Sequence, residues 1–413
     1  MVLFYISYYY TSLFFLFVFT MFIFRTEVRM RLTILSTLFF ALLILPSFTE
    51  NLDGKSFPPA DPSSTALVSN PGDPPFGIQR EFSTDFSRSA VHYETIFSGG
   101  PPKDGIPSID APVFVSVQKA DEWMGDSEPV LVLRFQDTVR VYPLQILMWH
   151  EIVNDTLNGI PVAVSYCPLC NTGIVFESLI DGRALQFGTT GRLRFGNLIM
   201  YDRQTETWWQ QASGEGIVGM YAGRQLKFLP VTILPWREIM KGNQDAQVLS
   251  RKTGYSRPYG ENPYQGYDTG DTPFLYRGPE IAEEYNPFER LLVVRVDGQE
   301  KAYAFSRLRE EKVIQETLAG RKIVIFYQSG ASSALDTRRI EDGRDTGTAQ
   351  AYFPHIGGRG LFFYHDGMNI RDQETGSIWD IGGTAIRGKL KNTRLDSPVT
   401  INHFWFSWSA FQK

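Results

Sequence analysis

The chain has 413 residues, of which 43% are hydrophobic and 14% aromatic, enough to bury a sizeable core and to exclude a mainly disordered protein. Its formal net charge is −5 and it has no long basic run, so we expect neither nucleic acid nor an anionic membrane surface as a partner. The chain contains two cysteines, Cys167 and Cys170, so any thiol chemistry must use this pair.

The N-terminal 49 residues predict an export segment. Residues 2–24 are uncharged and apolar or aromatic, and residues 32–48 form a second apolar run. Read from Met30, a short basic start, an apolar stretch and small residues predict a secretory signal, so we favour Met30 as the true start. The alternative is a membrane anchor with its arginines on the cytoplasmic side. Both interpretations place the rest of the chain in the periplasm or outside the cell, with the N-terminus as the membrane contact.

Two stretches have the composition of connections. Residues 50–110 are rich in Pro, Gly, Ser and Asp, which predicts an extended arm. Residues 251–290 carry Gly, Pro, Tyr and Asp without an apolar period. We expect this second stretch to be a connecting loop between domains or a surface lid.

An internal repeat divides the remainder into residues 111–250 and 291–413. Four residues of the first part recur in the second at a shift of 170 (372 minus 202), namely Asp202, Thr205, Thr207 and Trp209 as Asp372, Thr375, Ser377 and Trp379. Short β-branched or aromatic runs alternate with Gly and Asp turns in both parts. The sequence therefore predicts an α+β fold, predominantly antiparallel β, built from two tandem copies of one β-rich domain.

The second copy serves as an internal control for chemistry. At a shift of 161 (328 minus 167), three residues of the first copy are replaced, namely Cys167 by Gln328, Cys170 by Ala331 and His150 by Glu311. Folding requirements act on both copies alike. Residues found only in the first copy are therefore better candidates for chemistry than for folding.

Cys167, Cys170 and His150 predict a transition-metal site. Two thiolates and one imidazole suit zinc, or copper if soft ligands dominate, and the apolar neighbours of His150 favour a buried, neutral imidazole. For a lone histidine, a core residue bonded to backbone is the ordinary alternative. Surrounding residues that we expect to support the ligands are Asn154, Tyr166, Asn171, Arg192 and Gln210.

Two other interpretations of the cysteine pair remain open. In the first, Cys167 and Cys170 cycle between dithiol and disulfide. In the second, they form a structural disulfide in a non-catalytic binding module. The stretch after the pair, residues 171–176, predicts another strand, whereas the usual redox scaffold places a long helix there. No pattern indicates a substrate or a protein partner.

Four segments of the chain resemble a known family, namely His150-Glu-Ile-Val-Asn154, Tyr166-Cys-Pro-Leu-Cys-Asn171, Phe187-Gly-Thr-Thr-Gly-Arg192 and Met200-Tyr-Asp-Arg-Gln-Thr-Glu-Thr-Trp-Trp-Gln210. They are similar to the domain-of-unknown-function family 3179 (DUF3179) of exported prokaryotic proteins, over roughly Ala111 to the C-terminus. The resemblance implies an exported protein and offers no activity. Asn171 departs from the small residue usual after the second cysteine, which affects the loop and not the predicted ligands.

Overall fold

The computed structural model describes residues 66–412. The predicted export segment, residues 1–49, and the first part of the predicted arm lie outside the described residues. Between residues 66 and 412, no helix combines the length and the apolar character needed to cross a membrane.

The described chain consists mainly of short strands. In residues 66–250 these are β1 (Ile96–Ser98), β2 (Phe114–Ser116), β3 (Pro129–Phe135), β4 (Thr138–Pro143), β5 (Ile152–Leu157), β6 (Ile160–Cys167), β7 (Thr172–Glu177), β8 (Leu179–Ile180), β9 (Arg183–Ala184), β10 (Phe187–Arg194), β11 (Asn197–Asp202), β12 (Trp208–Gln210), β13 (Glu215–Val218), β14 (Lys227–Leu229), β15 (Val231–Pro235) and β16 (Gln247–Leu249).

Further strands follow in residues 290–404, namely β17 (Arg290–Val296), β18 (Gln299–Ala304), β19 (Val313–Leu318), β20 (Arg321–Gln328), β21 (Thr348–Tyr352), β22 (His355–Ile356), β23 (Arg359–Gly360), β24 (Phe363–His365), β25 (Ile370–Asp372), β26 (Ile378–Trp379), β27 (Ala385–Arg387) and β28 (Val399–Phe404). The α-helices of the described residues are short, namely Val117–Asp121, Leu144–His150, Trp236–Gly242, Phe305–Glu311 and Trp405–Ala410.

The strands form several small sheets. The larger ones have the orders β1-β10-β11-β12-β13, β14-β7-β6-β5, β15-β3-β4-β16-β2, β18-β17-β28, β19-β20-β21 and β24-β25-β26-β27. Within the described strands the pairs are antiparallel, apart from the parallel pair β16 and β4. The predicted, predominantly antiparallel fold with few helices is confirmed.

Two segments share one element order, a hairpin, a short helix and a second hairpin. They are residues 129–167 and 290–328, and each strand and helix bound of the second lies 161 residues after its counterpart (290 minus 129). Each helix is followed by a non-glycine residue with positive φ, 57° at Glu151 and 62° at Lys312. Because the positive φ occurs with both glutamate and lysine, it is a property of the turn between helix and strand and not of the side chain.

The turns after β11 and β25 also correspond. The Asp202 carboxylate accepts hydrogen bonds from the backbone and hydroxyl of Thr205 and from Trp209 Nε1. Asp372 accepts the corresponding set from residues 375 and 379. Each buried carboxylate thus satisfies one buried indole and one turn. The division into two tandem domains stays a prediction.

The described part of the predicted arm, residues 66–110, packs against the sheet that contains β10 and β11. β1 pairs with β10, and the apolar side chains spaced among the prolines and glycines are buried, among them Ile78, Phe82, Val91, Tyr93 and Ile96. The composition of this stretch predicts an extended arm, and that domain boundary stays a prediction. Composition does not reveal that these spaced apolar residues attach the stretch to the fold.

The largest buried apolar cluster surrounds the two cysteines. It joins the helix Leu144–His150, β5 to β7 and the β10–β11 hairpin to residues 404–406 at the C-terminus. Side chains of the predicted connecting loop complete it, including the buried Tyr267 and Phe288. The connecting loop thus contributes directly to the core around the cysteines.

Candidate functional site

Cys167 and Cys170 lie at the tight connection between β6 and β7. β6 ends at Cys167, residues Pro168–Cys170 form one 3-10 turn, and Asn171 has the left-handed conformation, with φ 51° and ψ 39°. Proline suits the first position of such a turn, and asparagine tolerates the left-handed region better than most residues. The Tyr166 hydroxyl donates to Asn171 Oδ1 at 3.1 Å. The strand predicted after the cysteine pair is present as β7, and the chain reverses at Asn171.

The start of β11 supplies backbone partners to both sulfurs. The Cys170 thiol donates to the Gly196 carbonyl, with Sγ and O 3.3 Å apart, and the Leu198 N–H donates to Cys167 Sγ. Phe195 and Gly196 both have positive φ and form the tight β10–β11 turn that brings these groups to the cysteines. The two thiols also hydrogen-bond to each other, and both cysteines are free.

Burial keeps the Cys167 thiol protonated. Loss of solvent raises the pKa of Cys167 well above its usual value, and both the hydrogen bond with Cys170 and the nearby Glu151 carboxylate act in the same direction. The Leu198 N–H opposes them, because it stabilises the thiolate. At neutral pH the resting state of Cys167 is therefore the thiol, and a base is needed to form the nucleophilic thiolate.

Glu151 supplies a titratable group near Cys167, because its carbonyl accepts a hydrogen bond at 2.8 Å from the N–H of Tyr166, the residue before Cys167. Its side chain is buried, and the loss of solvent raises its pKa to about 7. The Tyr264 hydroxyl donates to Glu151 Oε1 at 3.4 Å, which lowers the pKa in part. A carboxyl group with a pKa close to neutral can take up or release a proton under physiological conditions.

Sequence reasoning missed Glu151, although a signal for it existed. At the shift of 161 residues Glu151 falls on Lys312, so it fails the comparison between the two halves just as the cysteines do. Tyr264 had no such signal, because it lies in the connecting loop and meets Glu151 through the folding of distant segments.

Residues 264–276 of the connecting loop cover the cysteines. Tyr267 is buried, and the proximity of Cys170 and Cys167 contributes, after burial, to raising its pKa. A Cβ atom built on Gly196 would lie 3.5 Å from the Leu275 carbonyl oxygen, which shows how closely the loop approaches the β10–β11 turn. Both cysteines are consequently about 1% exposed or less.

Asp268 anchors this covering segment. Its carboxylate accepts from Arg290 Nη2 at 2.8 Å, from Arg344 Nη1 at 2.9 Å and from the Ser333 hydroxyl at 2.7 Å. Burial alone would raise the pKa of Asp268, but the two guanidinium groups and the hydrogen bonds outweigh it and lower the pKa. The anchor is therefore ionised and fully paired at neutral pH.

The predicted ligand His150 is directed to other partners. Its Nδ1 lies 2.8 Å from the Pro107 carbonyl, which can only accept, and its Nε2 lies 2.6 Å from the Tyr259 hydroxyl. Burial is the main factor that lowers the pKa of His150, so the ring is neutral and Nε2 accepts from Tyr259. Both ring nitrogens are thus engaged.

No ready metal site is assembled in the part of the chain that the structure describes. There, no group of three or more His, Cys, Asp or Glu side chains could hold a metal ion. A metal bound by Cys167, Cys170 and His150 would require His150 to give up one of its two hydrogen bonds. The copper or zinc assignment stays a prediction.

The other predicted site residues have structural partners. Asn154 bonds to both backbone groups of Phe187 and to Asp110, and Arg192 pairs with Glu81. Gln210 is buried and donates to Asn197, while its Oε1 has no hydrogen-bond partner among residues 66–412. Tyr166 and Asn171 are the two that shape the cysteine turn directly.

His403 contacts Thr172, which follows the cysteine turn. Its Nδ1 lies 3.0 Å from the Thr172 hydroxyl, which also donates to the Cys170 carbonyl. Burial lowers the pKa of His403 to about 3, so the ring is neutral under ordinary conditions. His403 was not predicted from the sequence, because no local pattern connects it with Thr172, 231 positions earlier.

A comparison with protein families supplies the chain's relationship. The family described as "Protein of unknown function (DUF3179)" matches residues 103–413, about three quarters of the chain. The chain belongs to this DUF3179 family. The matched residues include the cysteine turn, Glu151 and the covering segment. The chain matches no curated protein and no solved structure.

This DUF3179 chain thus combines two free thiols with a buried acid of near-neutral pKa under a tyrosine-bearing segment. Once a base takes its proton, the Cys167 thiolate accepts a stabilising hydrogen bond from the Leu198 N–H. Cys170 is within hydrogen-bonding reach of Cys167, as a resolving thiol must be.

Proposed function

We propose that the protein is a thiol–disulfide redox protein in which Cys167 and Cys170 cycle between dithiol and disulfide and Glu151 accepts and returns the proton. The observation that carries this proposal is the buried Glu151 carboxyl group, with a pKa of about 7, beside the protonated Cys167. Both ring nitrogens of His150 already have partners, which favours redox chemistry over the predicted metal site.

The first step forms a mixed disulfide. Cys167 transfers its proton to the Glu151 carboxylate, and the resulting thiolate attacks one sulfur of a substrate disulfide. The substrate S–S bond breaks as the bond between Cys167 and the substrate forms. The departing substrate thiolate then takes up the proton that Glu151 holds.

The second step closes the protein disulfide. Cys170 loses its proton to Glu151 and attacks Cys167 Sγ, and the second substrate thiolate leaves and takes up that proton. Overall, two protein thiols lose two electrons and two protons, and one substrate disulfide becomes two thiols. The reverse sequence reduces the protein disulfide with an external dithiol.

Access to the sulfurs requires movement of the covering segment. Cys167 and Cys170 are buried beneath residues 264–276, so a substrate disulfide can reach them once this segment has shifted. Tyr264 connects this movement to the acid, because displacing it removes the hydrogen bond to Glu151. The cover accordingly protects the reduced pair from indiscriminate oxidation.

The test is a redox titration of the full-length protein. The protein is equilibrated in glutathione buffers of graded composition, quenched by alkylation and analysed by mass spectrometry, and its zinc and copper contents are measured in parallel. We expect one reversible two-electron transition, which Cys170→Ser abolishes. Because the chain has no other cysteine, the double serine variant gives a clean blank.

Three other outcomes would contradict the proposal. A dithiol in every buffer would mean that the pair is inert. A disulfide in every buffer would identify a structural disulfide. About one zinc or copper ion per chain, with both thiols protected from alkylation, would establish the metal site instead.

A further inference from the structure

A second candidate site lies in a cavity between residues 122–128, the start of the connecting loop and residues 339–341. The cavity has a volume of about 400 Å³. Trp123, Met124 and Tyr259 form apolar parts of its wall, and Glu128 and Arg251 contribute charged groups. A volume of this size suits a small molecule, and apolar walls with a few polar groups are typical of ligand sites.

A buried glutamine connects the two charged groups. Gln145 is fully buried; its Nε2 donates to a Glu128 carboxylate oxygen, and its Oε1 accepts from Arg251 Nε at 2.9 Å. Arg251 also donates from Nη2 to Gln145 and to the Trp123 carbonyl, and its guanidinium lies 4.7 Å from the centre of the Trp123 ring. Both charged groups are therefore held in fixed positions.

The remaining charged side chains of the cavity wall are in ion pairs, namely Glu122 with Lys119, Glu261 with Arg338, and Glu341 with Arg339. Among the described residues, neither Glu128 nor Arg251 has an oppositely charged side chain within ion-pair distance, although each favours the charged form of the other. Arg251 donates its hydrogen bonds from Nε and Nη2, which leaves Nη1 for a ligand. Glu128 is 4% exposed. One buried acid and one guanidinium are thus available to a ligand in a cavity whose other charges are paired.

We propose that this cavity binds a small zwitterion of the amino-acid type, with its carboxylate on Arg251 and its ammonium group on Glu128. A ligand that carries both charges forms ion pairs with both Glu128 and Arg251, whereas a singly charged ligand pairs with one of them. Charge-assisted hydrogen bonds to such groups are stronger than neutral ones, which gives the arrangement its selectivity. The proposal is independent of the redox function, because the ligand contacts neither cysteine.

The probe is L-alanine, added to full-length protein labelled with ¹³C at the methionine methyl groups. Met124 lines the cavity, and its signal is assigned by its loss in Met124→Leu. We expect a saturable shift of this signal with L-alanine, and affinities at least about tenfold weaker for acetate and for methylammonium. Once the signal is assigned, these affinity comparisons use the wild-type protein alone.

Variants then test the two contacts. Arg251→Gln and Glu128→Gln should each weaken L-alanine binding by at least about tenfold, and Arg251→Lys by less. Glu122→Gln is the matched control for Glu128→Gln, because Glu122 also lines the cavity but is paired with Lys119, so it should leave the affinity unchanged. The proposal is overturned by acetate or methylammonium binding as tightly as L-alanine, by no shift with L-alanine, or by equal affinities in Glu128→Gln and Glu122→Gln.

Discussion

Replacing Glu151 by glutamine should make the protein more stable above neutral pH, although it removes a group that we place in the functional site. Glutamine resembles the protonated acid in shape and carries no charge. In the folded protein, burial disfavours the charged form of Glu151 and raises its pKa from 4.5 to about 7. In the unfolded chain the same carboxyl group ionises freely.

The size of the effect follows from proton linkage. Between pH 4.5 and 7 the folded state holds this proton and the unfolded state has lost it, so the free energy of unfolding falls as the pH rises. Each unit of difference between the folded and unfolded pKa values is worth ~1.36 kcal/mol. At pH 8 the ionisation of Glu151 therefore lowers the free energy of unfolding by about 3 kcal/mol. Glu151→Gln should remove this loss, since it has no proton to release.

The assay is urea unfolding of wild type and Glu151→Gln at pH 5 and at pH 8. We expect similar stabilities at pH 5 and a variant more stable by about 3 kcal/mol at pH 8. Glu128→Gln is the matched control, because burial also raises the pKa of Glu128 to about 7, so it should show the same trend away from the cysteines. A stability difference between wild type and Glu151→Gln that is independent of pH would contradict a raised pKa of Glu151 in the folded protein.

Three further predictions concern the surroundings of the site. In urea unfolding between pH 6.5 and 4, the free energy of unfolding of His403→Gln should fall less with acid than that of wild type. Burial lowers the pKa of His403 to about 3, so the unfolded state binds the proton first as the pH falls. Asn171→Ala should lower the free energy of unfolding by about 1–2 kcal/mol, since alanine is strained at φ 51°. Asn171→Gly should recover part of this loss, and equal losses in the two variants would contradict strain at this φ as the cause. Asp202→Asn and Asp372→Asn should each cost about 2 kcal/mol, because each carboxylate accepts from one threonine and one indole, and a large cost at one position alone would show that the two turns differ in importance.

Local patterns predicted the strands around the cysteines. The stretch after the cysteine pair, residues 171–176, was predicted to be a strand and forms β7. His150 was proposed as a ligand for its nearness in sequence to the cysteines, and this proposal stays a prediction. Adjacent residues at a helix end point in different directions, so His150 meets Tyr259 while its neighbour Glu151 lies beside Cys167.

The cover of the site depends on contacts between distant segments. Tyr264 and Tyr267 come from a stretch without periodicity, and Asp268 holds that stretch to Arg290 and Arg344 through charge pairs. Such contacts have no signature in local spacing. Composition alone could therefore suggest a connection or a lid, but not which residues it covers.

The most direct test of the account is the rate at which the reduced protein reacts with oxidised glutathione, measured from pH 5 to 9. If Glu151 accepts the Cys167 proton, the wild-type rate should rise through an inflection near pH 7. In Glu151→Gln the inflection should vanish and the rate should fall by about 10²-fold, while Glu128→Gln should leave both unchanged. Equal rates and profiles in wild type and Glu151→Gln would contradict the role of Glu151, and failure of wild type to form the Cys167–Cys170 disulfide at any pH would contradict the redox function itself.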